Sequence, residues 1–288
     1  MKKRKYGKNG IELSVIGFGG ILVMNESAED SARVVSKAVD AGINYFDVAP
    51  QYGNAQDMLG PALKPFRKDV FLACKTLERT ADEARRDLEE SLRLLKTDYF
   101  DLYQLHSVTT REDVDLILGP SGALELFEEA RRNGLVRHLG FSAHSEDAAL
   151  ALLDAFDFDS VLFPLNVWTW HAGDFGKRVL DKTAEKNVTV LALKSLAKRR
   201  ILEDETGPVE KAWYWPVESY EEALVNLRFT LGLPGVTAAV SPGDETLFDW
   251  MLKAGKEYSP LSEAEQEKLE KEAENYPLIF DAHHSGWQ

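Results

Sequence analysis

The sequence is poor in the residues that would staple, anchor or polarise a chain. One cysteine, Cys74, stands in 288 residues, so no disulfide can form within the chain, and a reducing, cytoplasmic setting is expected. No run approaches about 18 consecutive apolar residues, the length a membrane-spanning helix needs. The opening MKKRKYGKNG is basic but has no apolar segment behind it, so it does not read as a secretory signal. Basic residues are outnumbered 34 to 48, for a formal charge of −14. Such a surface repels polyanions, and neither nucleic acid nor acidic membrane is an expected partner. His283 and His284 are adjacent, but no second ligand pair has metal-binding spacing, so no metal is expected and the pair reads as part of a tail. No Pro/Ser-rich linker or composition break divides the chain, which points to one domain over residues 1–288. No segment advertises a subunit interface, so no partner chain is expected.

What is present is alternation. Short apolar runs, each followed by an amphipathic stretch, recur along the chain. They predict strands near residues 13–19, 43–47, 70–75, 100–106, 136–142, 160–164, 188–194 and 236–240. Predicted helices lie between them, the first from about Glu26 to Ala41 with Ser27 placed as its cap and Gly42 as its stop. Near-continuous apolar strands joined by helices suit a parallel sheet covered on both faces. Eight such units in one uninterrupted domain fit a (β/α)8 TIM barrel of the α/β class better than a doubly wound open sheet. Residues 5–13, turning at Lys8-Asn9-Gly10, predict an N-terminal β-hairpin that plugs one end. Extra helices are predicted after the last strand, near residues 245–253 and 262–273.

Three successive strands end in polar residues of complementary chemistry. GINYFDVAPQYGN ends its apolar run in Asp47 and carries Tyr52 in the following loop; VFLACK ends in Lys75, and YFDLYQLH in His106. In a barrel these ends share one rim, where active sites sit. A free phenol, with a pKa of roughly 10, is a weak acid near neutral pH. An ammonium beside it favours the phenolate and lowers that pKa. Asp47 can supply the countercharge that a buried Lys75 needs. His106 can orient a carbonyl or relay a proton. With no nucleophile or metal cluster in evidence, the set fits carbonyl reduction with hydride from a cofactor.

That constellation resembles the aldo-keto reductase family. GINYFDVAPQYGNAQDMLG is similar to its most characteristic segment, and FLACKT and LYQLHS supply the remaining two members of its tetrad: Asp47, Tyr52, Lys75 and His106. GLVRHLGFSAHS and LRFTLGLPGVTAAVSPG are similar to segments that lead into the nicotinamide and adenosine-phosphate sites. The resemblance implies an NAD(P)H-dependent reductase acting on a small carbonyl substrate. It implies cofactor contacts from Gly20, Ser142, Asn166, Lys194, Ser195, Leu196, Lys198, Pro242 and Gly243. Three positions depart from the pattern. Ala143 follows Ser142 in place of Asn, Phe163 stands where a glutamine is expected with Asn166 nearby, and Leu193 or Lys194 replaces an aromatic.

Cofactor choice is read from two loops with opposite signals. SPGDETLF carries Asp244 and Glu245 where NADPH-dependent relatives usually place basic residues, which favours a ribose hydroxyl and NAD(H). KSLAKRR concentrates Lys194, Lys198, Arg199 and Arg200 in a loop where barrels often bind phosphate. Family habit tips the expectation to NADP(H). Met24, Trp168 and Trp213 are candidate substrate-pocket residues, with Trp170, Tyr214 and Trp215 as further aromatics on the same rim. A barrel that binds the nucleotide as a sensor or regulatory subunit without turnover is the competing function.

Overall fold

The apolar runs close on one another as a ring of parallel strands. A computed structural model describes residues 1–7, 10–273 and 276–282. Strands β1 (Lys3–Tyr6) and β2 (Ile11–Ser14) form the N-terminal hairpin. The ring follows with β3 (Ile16–Gly19), β4 (Tyr45–Asp47), β5 (Phe71–Thr76), β6 (Phe100–Val108), β7 (Val136–Ala143), β8 (Ser160–Pro164) and β9 (Thr189–Leu193). An antiparallel pair, β10 (Ala197–Arg200) and β11 (Tyr214–Pro216), stands outside it, and β12 (Val236–Val240) closes the ring between β9 and β3. This is the (β/α)8 barrel expected.

Its jacket is α1 (Ala28–Asp40), α2 (Ala55–Leu63), α3 (Ala81–Leu94), α4 (Arg111–Leu118), α5 (Ala123–Arg132), α6 (Glu146–Ala155), α7 (Val167–His171), α8 (Lys177–Lys186), α9 (Tyr220–Gly232), α10 (Glu245–Glu257) and α11 (Glu263–Ala273). Ser27 caps α1 by accepting from the Asp30 N–H at 3.0 Å, and Gly42, at φ 86°, stops it, as expected. Among the described residues no helix is long and apolar enough to cross a membrane.

The pleat sorts the strand residues. Tyr45, Phe71, Ala73, Leu102, Leu162, Leu191 and Ala238 face the barrel interior, while their neighbours in sequence pack under the helices. Gly17 leaves room for this packing, because a Cβ there would lie 2.6 Å from the Tyr45 ring. The hairpin closes the end where the strands begin. Tyr6 and Leu13 are fully buried, and the Tyr6 hydroxyl donates to Ser160 Oγ at 3.0 Å on the first residue of β8. The hairpin's expected turn at Lys8 and Asn9 lies outside the described residues, as do His283 and His284.

Elements differ from expectation at several points. The run predicted over residues 13–19 is two strands, because Ser14 turns away from the ring and exchanges hydrogen bonds with Asn44. Helix α4 was not expected; a capping box between Thr110 and Asp113 starts it in the loop after β6. The β10–β11 pair was also missed, being joined by a loop with no apolar period.

Gly60 of α2 sits against the end of α3, where an added Cβ would lie 2.4 Å from the Leu94 carbonyl oxygen. Gly60→Ala gains helix propensity of about 1 kcal/mol but overpacks this crossing by about 1–3 kcal/mol. The expected result is a lower melting temperature by thermal circular dichroism; an unchanged or raised value would contradict this packing.

Candidate active site

Period two along three adjacent strands aims polar side chains into the barrel mouth. β4 presents Tyr45 and Asp47, β5 presents Lys75, and β6 presents Gln104 and His106. Lys75 and Asp47, both almost fully buried, form an ion pair. Asp47 Oδ2 also accepts from Gln104 Nε2 at 3.0 Å and from the Tyr45 hydroxyl at 3.3 Å. The loop after β4 returns Tyr52 over this pair, with Lys75 Nζ 5.3 Å from the centre of its ring. His106 stands edge-on to Tyr52, ring centres 6.0 Å apart. All four expected residues line one cavity of about 220 Å³.

Burial dominates the electrostatics. It pushes the Tyr52 phenol above its ordinary pKa; Lys75 pulls the other way without overcoming it, and Asp47 adds to the rise. The net direction is opposite to that expected from the lysine alone. Burial would lower the Lys75 ammonium, but Asp47 and then Tyr52 hold it above its usual value. His106 is pushed down to about 2, by burial first and then by Lys75 and Lys194, so the imidazole is neutral. Its Nδ1 lies 3.0 Å from Gln51 Oε1. Facing an amide oxygen, Nδ1 carries the proton and leaves Nε2 an acceptor; a half-turn of the Gln51 amide exchanges these roles.

Ser142, Lys194, Ser195, Leu196, Pro242 and Gly243, read from sequence as cofactor contacts, and Trp213, read as a substrate-pocket residue, line the same cavity. The Ser142 hydroxyl accepts the Ser107 N–H at 2.8 Å, and Ser195 Oγ is buried with no partner among the described residues. Five expected residues are not brought to the cavity. A Cβ on Gly20 would lie 2.7 Å from Val48, so this glycine serves packing between the first two strand ends. Met24 packs beside Gly53. Asn166 spends its Oδ1 capping α7, whose turn carries Trp168 outward to pack edge-on against Tyr276. Lys198 lies with Trp168 in a separate groove and is ion-paired to Glu218 and Glu222 at 3.2 and 2.8 Å. Of the five rim aromatics, only Trp213 and Tyr214 line the cavity; Trp170 packs against Phe229, and Trp215 under Arg199.

Three contributors were not among the expected site residues. His144 and Lys211 line the cavity and Gln51 orients His106. His144 follows Ser142 by two residues at the end of β7, a period that could have found it. Lys211 comes from the loop between β10 and β11 and reaches the Leu22 carbonyl and Glu26, which nothing in the local sequence announces.

The model of the Aldo/keto reductase family matches residues 15–222. "Uncharacterized oxidoreductase YqkF" of Bacillus subtilis (strain 168) is 27% identical over 79% of this chain and 76% of its own length. "6-dehydroglucose reductase" of Novosphingobium aromaticivorans is 31% identical over 52% of this chain and 54% of its own, so that match spans about half of the relative. The solved "aldo-keto reductase AKR11C1 from Bacillus halodurans (holo form)" superposes with a TM-score of 0.74 at 24% identity, covering 99% of this chain and 100% of the other, a likeness of fold.

The depressed imidazole has a consequence for stability. Below the unfolded value of about 6.5, the unfolded chain binds a proton at residue 106 that the folded chain does not, so stability falls as pH falls towards the folded value of about 2. Between pH 7 and pH 5 His106 should account for a loss on the order of 1 kcal/mol. Urea unfolding at both pH values should show a smaller difference in His106→Gln than in the unaltered protein; an equal difference would place the imidazole in water.

Proposed function

We propose that this chain, which belongs to the aldo/keto reductase family, reduces an aldehyde or ketone to its alcohol, with Tyr52 as the proton donor. One observation carries the reading: a phenol, a buried ammonium–carboxylate pair and a neutral imidazole converge on one cavity. A nicotinamide cofactor, when bound, supplies the hydride. Ser142, Ser195, Leu196, Pro242 and Gly243 are suited to hold it, and the unpartnered Ser195 hydroxyl leaves a donor free for it. The cavity shares Lys211 and Gly243 with a second of about 250 Å³, giving the extended space a dinucleotide requires.

The raised phenol keeps Tyr52 protonated at neutral pH, ready to donate to an oxygen that is gaining negative charge. Lys75 then stabilises the phenolate left behind, an interaction stronger in the transition state than before it. Asp47 fixes the ammonium, and Gln104 and Tyr45 fix Asp47. His106 orients the substrate oxygen through whichever role Gln51 leaves to Nε2.

For the nucleotide, the structure shifts the weight of the two loops. The basic loop is internally compensated, Lys198 by Glu218 and Glu222, and Arg199 by Glu205. Asp244 caps α10, and Glu245 is held to about 2 mainly by its hydrogen bonds to Arg33, with Lys37 adding to them. The second cavity still carries Glu26, Asp30, Glu210, Asp244 and Glu245 against Arg33 and Lys211. An excess of carboxylates suits a ribose hydroxyl better than a phosphate, so we read NADH as the preferred reductant.

Tyr52→Phe should lower kcat for carbonyl reduction by about 100-fold or more while the circular dichroism spectrum and nucleotide binding are kept. Retained turnover would remove Tyr52 as donor. Parallel titration of NADH and NADPH by tryptophan fluorescence should give tighter binding of NADH. Tighter NADPH would show that Arg33 leaves Glu245 for the phosphate, and binding of either without turnover of any carbonyl would mark a sensor.

A further inference from the structure

The cavity holds three ammonium groups, two of them with carboxylate partners. Lys75 is paired with Asp47, and Lys211 with Glu26 at 2.6 Å. Lys194 is different. Among the described residues, the one charge that acts on it is the like charge of Lys75. Its Nζ meets the His144 Nε2 at 3.2 Å and lies 5.1 and 5.5 Å from the ring centres of Trp213 and Phe280. His144 is itself held neutral, by burial and by Lys194, so it accepts one ammonium proton and leaves two to donate elsewhere. The backbone at Lys194 is left-handed, φ 61°, a conformation of the kind that persists where the surroundings over-determine it and that clusters at binding sites.

We propose that Lys194 is an anion receptor that selects carbonyl substrates bearing a carboxylate. The inference rests on the reductase reading above and gives it a substrate class. The ammonium supplies the countercharge, and Trp213 and Tyr214, which line the same cavity, offer apolar surface to a carbon frame between the carboxylate and the carbonyl at Tyr52. A nucleotide phosphate is the other source of such an anion. Lys194 is the less suited to it because it sits with Lys75, His106 and His144, and it does not line the second cavity. Burial lowers the ammonium to about 7, and an anion beside it would restore its charge.

Two aldehydes of similar shape and opposite charge state test this: para-carboxybenzaldehyde and neutral para-nitrobenzaldehyde. The ratio of their kcat/KM values, carboxylate over nitro, should fall about 10- to 100-fold in Lys194→Met, mainly through the KM of the carboxylate. Lys194→Arg should recover most of the ratio, since it keeps the charge. An unchanged ratio in Lys194→Met overturns the proposal. So does a loss shared equally by both aldehydes and matched by weaker nucleotide binding, which would assign the anion to the cofactor. If the unaltered protein turns over neither aldehyde, the reductase reading fails separately. Calorimetric titration of para-carboxybenzyl alcohol then decides the receptor alone: affinity lost in Lys194→Met supports it, and equal affinity in both proteins overturns it.

Discussion

The buried pair between Asp47 and Lys75 is the interaction on which the rest of the site depends. Either charge alone in the barrel interior would cost several kcal/mol, and the pair is tolerable only because both are fully engaged. Asp47 comes from β4, Lys75 from β5 and Gln104 from β6, so the set exists only while three neighbouring strands hold their register. A slip of one residue would turn Asp47 out under the helices. The placement of His106, and of Tyr52 over the ion pair, is thus secured by the same hydrogen-bonded ladder that closes the ring. Fold and candidate site share one constraint.

That sharing explains what was legible in the sequence. Strand ends that carry Asp47, Lys75 and His106 announce themselves, because period two and a short apolar run place them on one rim without knowledge of any distant contact. What could not be read is whatever depends on partners far along the chain. The basic residues Lys198 and Arg199 looked like a phosphate site until Glu222 and Glu205 were found beside them. Glu245 looked like a free carboxylate until α1 delivered Arg33 and Lys37. The direction of the Tyr52 shift turns on burial, which competes with a visible neighbour and has no sequence signature of its own. Trp168 was misplaced because a five-residue helix, started by Asn166, redirects the chain at the rim.

The charge distribution follows one pattern. In a chain with a large excess of carboxylates, the rim-loop cations Lys198, Arg199 and Lys211 each meet an acidic partner. Charge clusters counted along such a sequence overstate what is free to act on a ligand. Pairing in three dimensions decides which charges remain available.

The hairpin at the far end of the barrel has a kinetic corollary. Tyr6 and Leu13 seal the end where the strands begin, and Tyr45, Phe71, Leu102 and Leu191 fill the interior above them, so the cavity at the mouth has a closed floor. A closed-floored cavity fills in sequence: whatever lies deepest enters first and leaves last. Two ligands sharing this space would be forced into a fixed queue, and the slow step of a cycle could be the emptying of the cavity instead of any event at its centre.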